Sequence, residues 1–214
     1  MKNKKGKLLC AVLLMLGAFV VWTLLVLFVN VEAIGPQGSE VGFSALNQFV
    51  HRATGVNMTL YTLTDWLGLV PIFTAFGFAV LGLCQWISRR SILKVDRSIL
   101  ALGVFYIAVI AVYVFFEFAV INYRPVMIEG VLEASYPSST TLLTLCVMPT
   151  AAIQLRRRMK NGAFRRVLTL TIWGFTAFML VARLLSGVHW VTDIIGGVLL
   201  SASLVFAYAC AADQ

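Results

Sequence analysis

Arg183-Leu-Leu-Ser-Gly-Val-His189-Trp-Val-Thr-Asp193 places an arginine, a histidine and an aspartate in sequence otherwise apolar enough to span a membrane. An ionisable group there costs at least about 2.5–3.5 kcal/mol on insertion scales, so such groups usually line a pathway or a site. A break at Gly187 lets the chain leave one helix, turn at the membrane surface and begin another. His189 and Asp193 then stand at i, i+4 on the first turn of the new helix, on one face and within reach of each other. A carboxylate bonded to one imidazole nitrogen fixes the tautomer and raises the basicity of the other, as a nucleophile or base requires. A buried ion pair that only sets helix register fits these two residues equally well. Arg183 favours the chemical reading, because its guanidinium is a planar fork suited to phosphate. The stretch points to phosphoryl chemistry at a membrane surface.

Of the 214 residues, 60% are hydrophobic and 12% charged, and the mean hydropathy is +0.91. That balance excludes a soluble domain and fits one integral membrane domain over residues 1–214. The net charge of +8 is no nucleic-acid signature, because the basic residues fall in short clusters between apolar runs. No glycine-rich phosphate loop or zinc-ligand cluster is present, so no cofactor or metal is expected. Cys10, Cys84, Cys146 and Cys210 lie in apolar segments without paired spacing and read as reduced packing residues.

Six apolar runs are expected to span the bilayer, at about 8–29, 66–87, 98–121, 141–155, 167–185 and 190–211. At about 1.5 Å per helical residue, the first is long enough for a hydrocarbon core of about 30 Å. A cleaved signal peptide is its alternative, with Val31 and Ala33 as a faint cleavage site, but the apolar core is too long for one. Residues 30–65 are the longest polar stretch. A turn at Gly35-Pro36 precedes a run through Phe43, Leu46, Phe49 and Val50 that predicts a short amphipathic helix on the membrane. His51 and Arg52 read as solvated surface residues. Pro71 falls near the start of the second span, where a first turn tolerates it. Pro149 predicts a kink in the fourth. Gly197 and Ser201 give the sixth a small-residue face for close packing. No internal repeat is present, which argues against a transporter built of inverted halves.

Six spans put both termini on one side. That side carries four lysines in the N-terminal tail, four basic residues around Arg89 to Arg97 and six from Arg156 to Arg166, or 14 of 17. The other face keeps Arg52, Arg124 and Arg183 together with seven of the nine acidic residues; Asp96 and Asp213 fall with the basic clusters. The positive-inside rule makes the termini cytoplasmic. Arg124, Arg183, His189 and Asp193 then meet at the external surface with Tyr136-Pro137-Ser138-Ser139-Thr140-Thr141. This proline and hydroxyl cluster opens a helix whose free N–H groups can bind phosphate, with Ser138 and Ser139 as candidate ligands; a plain helix cap is the commoner use of such a cluster.

These residues resemble the three motifs of the type 2 phosphatidic acid phosphatase superfamily: Lys-x6-Arg-Pro, Pro-Ser-Gly-His and Ser-Arg-x5-His-x3-Asp. The first is matched by Arg124-Pro125, with Glu117 at the lysine position. The second is matched by Pro137-Ser138, with Ser139 for glycine and Thr140 for histidine. The third is matched by Arg183, His189 and Asp193, with Ala182 for serine. The resemblance covers essentially the whole chain and implies an all-α bundle of six transmembrane helices. It also implies a metal-independent lipid phosphatase in which His189 forms a phosphohistidine, Asp193 orients it, and Arg124, Arg183 and Ser138 hold the phosphoryl oxygens. Its substrate would be a phospholipid phosphate or a polyprenyl diphosphate such as undecaprenyl diphosphate, met at the outer face of what the compact size suggests is a bacterial cytoplasmic membrane.

The departures set a competing expectation. The second-motif histidine protonates the leaving oxygen in that family, and a threonine hydroxyl cannot; general acid catalysis is worth roughly 10²–10⁴ in rate. Glu117, if it faces the site, repels phosphate. The alternative is therefore a catalytically silent relative that binds a lipid phosphate or scaffolds membrane partners.

Overall fold

The computed structural model describes residues 2–212, with side chains from Lys5 onward. Asp213 and the side chains of Lys2 and Lys4, counted above with the basic face, lie outside the described residues. Among these the protein is all-helical, without β-strands: α1 (Lys2–Phe28), α2 (Ser44–Thr54), α3 (Met58–Leu67), α4 (Leu69–Arg89), α5 (Arg97–Phe118), α6 (Ser139–Arg158), α7 (Ala163–Leu185) and α8 (Val191–Ala212).

Five segments are long and apolar enough to cross a membrane: α1, α3 with α4, α5, α7 and α8. The expected fourth span coincides with α6, which extends beyond 141–155 at both ends and runs through Pro149. It falls short of the apolarity of the others because Thr141, Thr144, Thr150 and Gln154 are buried along it. Their hydroxyls and amide face protein: α6 packs against α4, α5, α7 and α8, and Thr150 Oγ1 bonds back to the Cys146 carbonyl at 2.8 Å. The apolar residues of the outer helices do the opposite. Leu13, Phe73, Phe76, Ile107, Phe118 and Leu170 are all exposed, as a surface bathed in hydrocarbon requires.

The second span begins earlier than its composition indicates. Met58–Arg89 forms one 32-residue segment, bent at Gly68, so that α3, expected to belong to the polar stretch, is helical and packs on α7. Asn57 caps it by accepting the Leu60 N–H at 2.9 Å. Pro71 sits in the first turn of α4, as expected. The predicted amphipathic helix is α2, and its polar side faces inward: Asn47 is fully buried and donates to Thr192 Oγ1 at 3.0 Å, while Leu46 and Phe49 are exposed.

α8 is the centre of the packing, touching α1, α5 and α6. Gly197 is why α6 comes close, since a Cβ there would stand 3.1 Å from Thr141 Cγ2. One core joins Phe19, Leu102, Phe105, Tyr136, Leu142, Cys146, Leu200 and Tyr208 across four of the helices and the α5–α6 loop. The four cysteines are free. At the basic end Asp96 ties two clusters together, with Arg89 Nη1 at 2.8 Å and Arg158 Nη1 at 2.9 Å. These arginines, against a small opposing effect of burial, hold its carboxyl down at about 2. The other end, formed by residues 29–57, 119–138 and 186–190, holds the candidate site.

Candidate active site

The turn between α7 and α8 is built around Gly187, whose φ of +68° lies in the left-handed region. A Cβ there would come within 1.8 Å of the Gly55 carbonyl oxygen, so only glycine lets the α2–α3 connection dock on the turn. Asn57 N–H donates to the Ser186 carbonyl at 2.9 Å. His51 Nε2 lies 3.1 Å from the Gly187 carbonyl oxygen, and its ring is 5.4 Å from that of Trp190. His51, expected to be solvated, thus braces the turn.

His189 ends that turn, ahead of α8 instead of on its first helical turn. It is 3% exposed, and its Nδ1 is 3.7 Å from Asp193 Oδ2. That spacing is longer than the hydrogen bond expected between them. Asp193, fully buried, instead accepts from Asn122 Nδ2 at 3.0 Å and from the Trp190 N–H at 3.0 Å. Burial first, then the Arg183 and Arg124 guanidiniums, holds the His189 imidazole well below its usual range; a weak contact with the Ser135 backbone pulls the other way. The ring is therefore neutral near pH 7 and keeps a free lone pair, the state a nucleophile needs.

Arg183 is 1% exposed in the last turn of α7. Its guanidinium lies over the Tyr61 ring at 4.9 Å, and Nη1 donates to Thr64 Oγ1 at 3.2 Å. Arg124 approaches the same ring at 5.9 Å, and its Nε is 2.9 Å from Glu133 Oε2. Tyr61 thus gathers two cations that the sequence places 59 positions apart. Ser138 caps α6, is fully buried, and its N–H donates to the Asp193 carbonyl at 3.2 Å. Gly196 makes room for this segment: a Cβ there would meet the Tyr136 ring at 2.6 Å.

Several buried polar atoms here have no hydrogen-bond partner: Arg124 Nη1, Arg183 Nε, Ser138 Oγ and both ring nitrogens of His189. Leaving such groups unpaired costs about 1–3 kcal/mol each, more when charged, unless a ligand meets them. A polar pocket of about 550 Å³ adjoins the two arginines, lined by Arg124 and Arg183 with Ser139, Thr140, Asp65, Glu117 and Glu133. An apolar cavity of about 580 Å³ lies alongside, between α4, α5 and α6. Glu117 does face the site. Glu129 is exposed at a loop tip and lines neither cavity.

All eight residues singled out from the sequence are at this end of the molecule. Arg124, Arg183, Ser139, Thr140 and Glu117 line the polar pocket, while Ser138, His189 and Asp193 are buried beside Arg183 and the start of α8. Tyr61, Thr64, Asp65, Asn122 and Trp190 were missed. Asp65 had a signal: it is the sole charged residue between Met58 and Arg89.

Residues 115–214 match the family model described as the PAP2 superfamily. Among solved structures, the chain is similar to a transmembrane PAP2-type phosphatidylglycerolphosphate phosphatase from Bacillus subtilis. The match has a TM-score of 0.63 and 17% identity, covering 93% of this chain and 94% of that one. No curated protein matches the sequence. The resemblance first carried by the three motifs is thereby borne out over residues 115–214, which hold all three, and the fold is similar to that of a PAP2-type transmembrane protein.

Proposed function

We propose that the protein is a membrane lipid phosphatase that works through a phosphohistidine on His189, without a metal, at the external face. The observation that carries this reading is the set of unpartnered buried atoms on Arg124, Arg183, Ser138 and His189, of which Arg124 and Arg183 line one polar pocket. Two guanidiniums on a shared ring, one from α7 and one from the α5–α6 loop, together with a neutral imidazole, form a site waiting for a tetrahedral anion. A His189 nitrogen attacks phosphorus, and the bond from phosphorus to the leaving oxygen breaks. Arg124, Arg183 and the N–H groups that open α6 hold the other oxygens as charge shifts. Water then cleaves the nitrogen–phosphorus bond and restores the ring. The charge asymmetry of the chain supports the external face as the side where this chemistry occurs.

A leaving alcohol departs as a strongly basic alkoxide unless it is protonated, whereas a leaving lipid phosphate is a weakly basic anion. With Thr140 at the position of the missing acid, the favoured substrate is a lipid diphosphate such as a polyprenyl carrier. A phospholipid monoester, as named for the Bacillus subtilis phosphatase, is the less reactive class here. The competing reading, a silent lipid-phosphate binder, draws on Glu117, Asp65 and Glu133 facing the same pocket.

Phosphate release by purified protein from a polyprenyl diphosphate and from a lipid monophosphate, with chelator present, is the test. Release abolished in His189→Ala supports the enzyme. Binding of both lipids with no release by the unaltered protein establishes the silent reading.

A further inference from the structure

A phosphoenzyme must also be emptied. Attacking and leaving groups stand roughly in line on phosphorus. The water of the second step therefore enters where the lipid leaving group has just departed, on the side away from His189. A lipid with its phosphate in the polar pocket and its chain in the apolar cavity puts the linking oxygen where the two meet. Four residues line both spaces: Asp65, Tyr113, Ser139 and Thr140. Three of them are hydroxyls, poor proton acceptors near neutral pH. Asp65 alone carries a carboxylate.

We propose that Asp65 is the general base of dephosphorylation, taking a proton from the water that attacks phosphohistidine 189. This rests on the phosphatase reading above. Asp65 is the sole charge between Met58 and Arg89, the two ends of a 32-residue apolar segment, where charged side chains are disfavoured and mark function. Its carboxylate has no hydrogen-bond or ion-pair partner among the described residues. The other two acids of the pocket are placed differently. Glu133 is bound to Arg124, and Glu117 lines the polar pocket without reaching the apolar cavity. α3 holds Asp65 in place through the neighbouring Thr64, which accepts from Arg183, so the base rides on the element that positions a phosphate ligand.

The step balances. Water oxygen bonds to phosphorus as the bond from phosphorus to the imidazole nitrogen breaks, and the ring keeps that electron pair. The water proton passes to Asp65 and then to solvent, and inorganic phosphate leaves.

Farnesyl diphosphate labelled on its terminal phosphorus separates this step from the first by rapid quench. Asp65→Asn should release about one lipid monophosphate per protein in a burst at the unaltered rate. It should then turn over roughly 10²–10⁴ times more slowly, with acid-labile label accumulating on the protein. Asp65→Glu, which keeps a carboxylate, should show the same burst with a smaller loss, and it serves as the variant if the asparagine form does not fold. Asp65→Asn or Asp65→Glu that loses burst and turnover together, or that turns over at the unaltered rate, overturns the assignment. Label retained by His189→Ala overturns the phosphohistidine reading itself, a different failure with a different signature.

Discussion

In the proposed mechanism the chemistry hangs on His189, and its surroundings fix a pH dependence. Burial and two guanidiniums disfavour the imidazolium, so the folded protein binds that proton less readily than the unfolded chain. Turnover on a diphosphate should therefore stay level as pH falls from 7 to 6, with its acid limb well below 6.5; a limb centred at 6.5 in a pH–rate profile contradicts this. By linkage the same group contributes stability that is complete above pH 6.5 and lost as pH falls below it. Thr140 carries the second expectation at this scale. Thr140→His places an acid where polar pocket and apolar cavity meet, and it should raise monoester turnover relative to diphosphate turnover, read as the ratio of kcat/KM values. Equal cleavage of both classes by the unaltered protein would show that another group already protonates the leaving oxygen. These residues were legible because each type has few reasons to sit in apolar sequence and the spacing from Arg183 to Asp193 is local. Tyr61 was not legible, since a tyrosine at a helix surface is ordinary until the fold brings Arg124 and Arg183 onto its ring.

Turns and helix ends decide whether those side chains meet. Gly187→Ala must place a side chain at φ +68° and 1.8 Å from the Gly55 carbonyl oxygen. The backbone strain alone costs about 1–3 kcal/mol, and the α2–α3 connection has to move. Thermal unfolding in detergent should fall clearly, and phosphate release should fall further than stability does, because His189 is two residues on. At the opposite end, Asp96→Asn removes two partly exposed ion pairs worth together about 1 kcal/mol or less. The carboxyl is depressed to about 2, so its stabilisation is whole above pH 4 and fades as pH falls through 2. A denaturation series in which Asp96→Asn matches the parent at pH 7 would dismiss it. The apolar helices were readable from hydropathy because lipid-facing runs carry few charges. α3 was missed because Thr62, Thr64 and Asp65 look like loop, although two of the three face the site. His51 was misread for the same reason: its partner at Gly187 lies 136 positions away, beyond any local pattern.

Over the whole molecule, the basic clusters and the acidic site end lie at opposite ends of one helical bundle, which predicts a topology. In a protein whose four native cysteines are replaced, a cysteine at Glu133 should react with an impermeant thiol reagent from outside intact cells, and one at Asn161 should not. The reverse pattern would move the site to the cytoplasmic face. α6 gives the bundle one more property. Its Thr141, Thr144, Thr150 and Gln154 are buried partly against α7 and α8, which the ribosome has not yet made when α6 emerges, and Gln154 Nε2 donates to Tyr208 Oη of α8. The insertion machinery, which reads each helix by its partition into lipid, meets there a segment that belongs in the membrane only as part of the finished protein. In the topology that the charges predict, α5 delivers the chain to the outside, so a nascent chain halted near Lys160 with α6 not yet inserted would leave the basic end of α6, Arg156 to Arg158, on the wrong side of the bilayer.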